Sequence, residues 1–269
     1  MKKWQVLSSA ALLTLTLAAC GAEEEADKST ATNSAETTET AQFPLTQTDA
    51  LGKDITIEKA PARIISLIPS NTEILFGLGL DEQIIAVNDN DNYPEQALAK
   101  EKVGGMEFNL EQIIALQPDL VFAHESNLYS FNEEAIAQLE AIGITVFVVK
   151  DAKTFEETYT TIAQIGQMTN KVQQADEMIA SIKTGIDEIE VKVADLEEKS
   201  VFIVVGTAPD LYAAGQETFI NEMLEVLEVE NAVPELGWPQ YSAEQFVASN
   251  PDAILVTYES DIEAIQTNE

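Results

Sequence analysis

The sequence predicts an α/β protein of two similar lobes joined by one long helix. Three observations carry this. First, Val172 to Lys199 places Val172, Ala175, Ile179, Ile182, Ile186, Ile189, Val193 and Leu196 at alternating spacings of three and four. That spacing draws one continuous apolar stripe on a helix. At ~1.5 Å per residue such a helix is roughly 40 Å long, more than a small lobe needs. Second, alternating strand-like and helix-like runs lie on both sides of it. Third, the two sides share a pattern: Glu111 to Val121 reads EQIIALQPDLV and Glu244 to Leu255 reads EQFVASNPDAIL, 133 positions apart. The heptad spacing of the stripe also suits a coiled coil, but the lobes supply enough surface to cover it.

The chain has 269 residues, with 14 basic against 47 acidic residues and a net charge of −33. Phosphate binding needs Lys and Arg, so nucleic acid is not an expected partner. One Cys and one His exclude intrachain disulfides, Cys/His zinc sites and Cys–His catalysis within one chain.

Lys2 and Lys3 precede an apolar run from Val6 to Ala19, followed by Cys20. This is the order of an export signal, and the run is short for a membrane-spanning helix. Leu17-Ala18-Ala19-Cys20-Gly21 resembles a bacterial lipoprotein cleavage box. The resemblance implies a signal peptide over 1–19, a lipid-modified Cys20 and anchoring to the extracytoplasmic face of the cell membrane. Residues 20–42 are acidic and poor in aromatics, a composition that cannot bury enough surface to fold. They are expected to tether the anchor to the body.

The body starts near Phe43. Thr46 to Glu58 predicts two strands around a turn at Leu51-Gly52-Lys53-Asp54. Ile64 to Ile68 predicts a buried strand, and Ser70 or Asn71 the cap of a helix reaching Leu80. Ile84 to Val87 is the next strand, Asn88 to Pro94 a loop and Val103-Gly104-Gly105 a turn. Asn109 caps a helix, with Gln112 as the reaching partner of a capping box; Pro118-Asp119 ends it. A strand over Leu120 to Ala123 leads into His124-Glu125-Ser126-Asn127, then a helix over 132–142 and a strand over 144–149. Such alternation means parallel strands with crossovers. Thr154 and Glu157 form a capping box for the helix leading into the connector.

Beyond the connector, Val201 to Val205 is a strand, Asp210 to Gly215 a strand or loop, and Phe219 to Val229 a helix. Trp238-Pro239 sits in a loop. Ser242 and Gln245 form a capping box, and Ala253 to Tyr258 is the last strand. The chain then runs to Glu269 in what reads as a helix. The domains are therefore an N-terminal lobe over 43–152, a helix and bridging helix over 153–200, and a C-terminal lobe over 201–269.

The segments Pro61-Ala-Arg-Ile-Ile-Ser-Leu-Ile-Pro-Ser-Asn-Thr-Glu73, Tyr93-Pro94, Val103-Gly104-Gly105, Asn109-Leu-Glu111 with Pro118-Asp119-Leu-Val121, and Trp238-Pro-Gln-Tyr-Ser-Ala-Glu244 together resemble the cobalamin and iron-siderophore binding proteins of ABC importers. The resemblance runs from about Phe43 to the C-terminus. It implies two Rossmann-like α/β lobes bridged by a long helix, with the ligand in the cleft between. Family members carry several dozen more residues, so the C-terminal lobe is expected to be incomplete here.

Ligands of open α/β sheets sit beyond the carboxyl ends of strands. This selects the loops Asn88 to Tyr93 and His124 to Tyr129, together with Tyr212 and the Trp238 loop, which supply aromatics suited to a broad flat ligand. Similarity to cobalamin-binding members puts Tyr93, His124, Tyr212 and Trp238 at or near cleft positions. His124 is expected either to ligate a bound cobalt or iron or to hydrogen-bond a ligand edge. Glu111 and Glu244 stand second in equivalent helices, where an acid also complements the helix dipole. The resemblance assigns them to docking on Arg of an ABC permease dimer. It further implies a monomer with no cofactor of its own, carrying a metal-containing corrinoid or a ferric chelate. The loops Asn90 to Pro94 and Ala123-His124-Glu125 look most like those of cobalamin-type members; siderophore and haem are the alternatives. A secreted hydrolase lacks a recognisable catalytic constellation here, so no enzyme is expected, and a bare-metal importer subunit would need more His, Asp or Glu ligands.

Overall fold

A computed structural model describes residues 41–207 and 210–258. The predicted signal peptide, Cys20, nearly all of the tether and the helix predicted after Tyr258 lie outside these residues. The backbone N–H of Ala41 already donates to Asn170 Oδ1, tying the start of the body to the end of a distant helix.

Strands β1 (Leu45–Thr48) and β2 (Asp54–Ile57) form an antiparallel hairpin with Leu45 opposite Ile57. Its turn is held by Asp49 Oδ1, which accepts the N–H groups of Leu51 and Lys53. Gly52 supplies the positive φ the turn needs, at 76°. The first sheet is wholly parallel: β3 (Ile64–Ser66), β4 (Ile84–Val87), β5 (Glu101–Lys102), β6 (Leu120–His124) and β7 (Thr145–Val149), in the order β5-β4-β3-β6-β7. Both faces are covered, which is why β3, β4, β6 and β7 read as largely apolar runs, while the edge strand β5 is Glu-Lys. On one face Ile64, Phe122 and Phe147 pack under helix α1 (Pro69–Gly77) and helices α4 (Phe155–Met168) and α5 (Val172–Val193). On the other, Ile65, Val121 and Val148 pack under α2 (Leu110–Leu116) and α3 (Glu133–Ala141).

The second sheet is mixed. Its strands are β8 (Ser200–Gly206), β9 (Leu211–Ala213), β10 (Glu230–Asn231), β11 (Gln240–Tyr241) and β12 (Ala253–Val256). The parallel pairing of β12 with β8 sets Ala253 beside Val201 and repeats the pairing of β6 with β3. Helices α6 (Phe219–Val226) and α7 (Ala243–Ser249) complete the described lobe. Helix α5 packs along α4 and also touches α6, so it joins the two sheets.

Several local expectations are corrected. Helix α1 starts at Pro69 with Ile68 at the cap position and no side-chain cap. Proline suits the first turn because its missing N–H would have no partner there. Asn109 does accept the N–H of Gln112, but Gln112 reaches Glu101 instead of returning to the cap, so that capping box is half made. Likewise Thr154 accepts from Glu157, while the Glu157 carboxylate turns to Lys150 and the Lys153 N–H. Of the three predicted boxes, only that of Ser242 and Gln245 is made in both directions. Helix α5 ends at Val193, and Leu196 lies beyond it, exposed. Asp195, Glu197 and Glu198 crowd that end, where the helix dipole disfavours negative charge. Helix α6 stops at Val226, short of the predicted Val229, and Glu228 takes a positive φ. The two-residue strands β5, β10 and β11 carry too few residues to show an alternation.

Candidate functional site

The strand order fixes the place of the site. From β3 the chain steps outward to β4 and β5, then returns to the other side of β3 for β6 and β7. Helix α1, leaving β3, covers one face; α3, leaving β6, covers the other. Connections diverging from adjacent parallel strands leave a crevice beyond their carboxyl ends. A cavity of about 870 Å³ opens there, within the usual size of small-molecule pockets. Its floor is the start of α1, with Ser70 and Asn71, and the turn after β6, with His124 and Ser126. Its back wall is apolar, from Ile162 of α4 and Met178 and Ile182 of α5. Phe219, at the start of α6, closes it from the second lobe. The Phe219 ring meets Phe155 of α4 edge to face, with centroids 5.0 Å apart.

Asparagines clamp the strand ends that form the floor. Asn88 Nδ2 and Asn127 Nδ2 both donate to the carbonyl of Leu67, at 2.9 and 3.0 Å. Asn71 Nδ2 donates to the carbonyl of Ala123 at 3.1 Å. Asn127 Oδ1 accepts the N–H of His124 at 3.2 Å. The ends of β3, β4 and β6 are thereby fixed relative to one another before any ligand arrives. A buried carboxylate lies beneath: Asp91 accepts from Thr72 Oγ1 and the Asn88 N–H on one oxygen, while the other has no partner. Burial raises the Asp91 pKa above its ordinary value, against the hydrogen bonds and Lys102 that lower it. Partial burial and then the charge of Asp91 raise Glu73, at the cavity rim.

The imidazole of His124 is buried, 7% exposed. Burial lowers its pKa; the carboxylates of Asp151 and Glu125 oppose that shift. The one lysine of the lining, Lys150, holds Glu157 at 2.7 Å. The cavity therefore presents apolar surface, neutral polar groups, two carboxylates at Glu73 and Asp151, and one paired cation.

Of the aromatic and imidazole positions read from the sequence, Tyr93 and His124 line this cavity. Tyr93 is 65% exposed, at the lip. Tyr212 and Trp238 stand apart from it, on the second sheet. Tyr212 pairs with Gln240 across β9 and β11, and Trp238 enters β11 from the preceding loop, 55% exposed. Sequence reasoning passed over Ser70, Asn71, Glu73, Asp151 and Phe219. The first three directly follow β3 and Asp151 follows β7, so the strand-end rule, applied to every strand, selects them. Phe219 has no such signal; it sits where α6 begins.

Glu111 and Glu244 occupy matching frames. Each is exposed in the first turn of a seven-residue helix capped by Asn109 or Ser242. Each helix ends on a left-handed residue, Gln117 (φ 47°) or Asn250 (φ 42°), followed by Pro-Asp. Asp119 then accepts the N–H groups of Ala62 and Arg63, and Asp252 those of Ser200, N–H and hydroxyl alike. In both lobes this carboxylate ties a helix end to the entry of the neighbouring strand. Among the described residues no cluster of three or more His, Cys, Asp or Glu is placed to hold a metal ion.

Comparison with known proteins points the same way. A sequence model of the periplasmic binding protein family matches residues 64–268. An ABC transporter substrate-binding lipoprotein of Bacillus subtilis, YvrC, is 43% identical over 94% of this chain and 79% of its own length. A vitamin B12-binding protein of Pectobacterium atrosepticum is 32% identical over 75% of this chain and 73% of its own. Among solved structures, one described as a possible iron-binding (periplasmic solute-binding) protein of Staphylococcus epidermidis is 40% identical. It has a TM-score of 0.70 and covers 77% of this chain and 83% of its own.

Proposed function

The chain belongs to the periplasmic binding protein family, and from that premise we propose that it captures cobalamin or a related corrinoid outside the cytoplasm and hands it to an ABC permease. The observation that carries this reading is the cavity at the switch between β3 and β6. It offers an apolar back wall, neutral hydrogen-bonding groups and no unpaired cation among its lining residues. A corrin with amide side chains suits that lining. A highly anionic chelate would meet Glu73 and Asp151 with no counter-charge. The B12-binding relative supports the same choice. The iron-binding description of the Staphylococcus structure supports ferric chelates as the second reading.

Tyr93 and His124 contact the cargo from the first lobe, and Tyr212 and Trp238 are assigned to it from the second. Glu111 and Glu244, one per lobe, dock on cationic residues of a two-fold permease. Cys20 carries the lipid anchor, in keeping with the name of the Bacillus relative. The protein acts as a monomeric carrier with no chemistry of its own on the cargo. Trp238 is the one tryptophan left after removal of the signal carrying Trp4, so a fluorescence titration follows a single residue of the second lobe. Cyanocobalamin is expected to quench it saturably, with haem and a ferric siderophore panel weaker. Quenching by a ferric siderophore alone would move the assignment to the second reading, and no response to any cargo would refute the class.

A further inference from the structure

His124 has its ring fixed from one side. Nδ1 lies 3.2 Å from the backbone nitrogen of Ser126 and 2.8 Å from its hydroxyl. A hydroxyl can donate or accept, but a backbone N–H only donates. Nδ1 must therefore carry the lone pair, and the proton of the neutral ring belongs on Nε2. The Asn127 side chain holds the His124 backbone N–H and Asn71 holds the preceding carbonyl, so the backbone carrying the ring is fixed, and turning the ring over would give up both Ser126 contacts at Nδ1. Among the described residues Nε2 has no protein partner and is not sealed from solvent, and His124 lines the cavity. A metal bound at Nε2 would need the proton on Nδ1 and would break the bond from Ser126.

We infer that His124 serves the cargo as a hydrogen-bond donor through Nε2–H and not as a ligand to its metal. The acceptor it suits is an uncharged carbonyl oxygen, of the kind that the primary amides around a corrin present. Asp151 on the cavity lining and Glu125 beside the ring set carboxylates near that donor, and Glu73 adds a third at the rim. An anionic acceptor would approach against all three. The inference rests on the corrinoid reading for the identity of the acceptor; the tautomer is a property of the protein alone.

Because the chain holds a single histidine, the ¹⁵N ring spectrum of tag-free protein reports it without assignment. At neutral pH and without cargo, Nε2 is expected protonated and Nδ1 bare; a proton on Nδ1 would overturn the inference. With aquocobalamin, whose cobalt carries an exchangeable water, the visible bands are expected to keep their positions on binding. A shift like that of imidazole-coordinated cobalt, lost in His124→Ala, would also overturn it. Two variants separate donor from turn cap. His124→Gln places an N–H near Nε2 and gives up the cap; His124→Asn keeps a cap acceptor near Nδ1 and gives up the donor. Gln is expected to bind within about threefold of wild type and Asn to lose about 3–10-fold, the range of one neutral hydrogen bond. The reverse order would mean that His124 only shapes the turn. If wild-type protein does not bind aquocobalamin, the functional reading fails, while the ring spectrum still judges His124.

Discussion

Asp91 is 1% exposed, with one oxygen taking two hydrogen bonds and the other none. Desolvation raises its pKa in the folded state. The folded protein therefore holds this proton to higher pH than the unfolded chain does. Asp91 favours folding most at low pH, and that contribution is lost as pH rises from the unfolded carboxylate range through the raised folded value. Asp91→Asn keeps an oxygen for Thr72 and Asn88 and removes the buried charge. Its stability relative to wild type should rise between pH 4 and pH 7 in urea denaturation; a difference independent of pH would show that Asp91 is not ionising. The sequence hid this residue. Asn88 to Tyr93 is polar enough to read as a solvent loop, and Asp91 is buried only because Thr72 and Lys102, distant in the chain, fold over it. His124 was legible as a residue lining the cavity because it ends a strand. Its tautomer was not, since that depends on how the Ser126 backbone turns.

Among the elements, the paired helices α2 and α7 were read best, since the cap, the short helix and Pro-Asp all leave marks in sequence. What escaped was where reaching side chains go. Gln112 has Glu101 within 2.8 Å, and that neighbour arrives from β5, a strand too short to predict. The end of α5 escaped for another reason: the apolar stripe continues to Leu196 in sequence while the acids at the terminus unwind it. Gln117 offers a test at this scale. It closes α2 at φ 47°, where a side chain is strained and glycine is not. Its carbonyl accepts from Arg63 Nε, a bond any residue there can keep. Gln117→Gly should stabilise the protein by about 0.5–1 kcal/mol, seen as a higher midpoint of thermal unfolding. A lower midpoint would mean that the glutamine side chain has a structural role.

Across the whole molecule, the lobes differ in how much they bury. The first sheet packs fully buried side chains on both faces, whereas β12 leaves Ile254 and Leu255 half exposed on an edge paired only with β8 among the described strands. Local opening follows such differences. Limited proteolysis is expected to cut after residue 200 before it cuts between Phe43 and Lys150, and equal resistance would contradict this. Glu111→Ala with Glu244→Ala should leave cargo affinity unchanged and weaken association with the permease more than either change alone. Losing one partner of a buried interfacial pair costs ~2–5 kcal/mol. Normal uptake by the double variant would remove both residues from that role. The central claim is that cargo sits in the cavity between the ends of β3 and β6, and one substitution tests it most directly. Ser70 is exposed at the start of α1 and lines that cavity, so Ser70→Trp sets an indole into the cargo's place on the floor without disturbing a core contact. Calorimetric titration with cyanocobalamin should give one site per chain for wild type and none for Ser70→Trp at an unchanged unfolding midpoint; equal binding by both proteins would contradict the account.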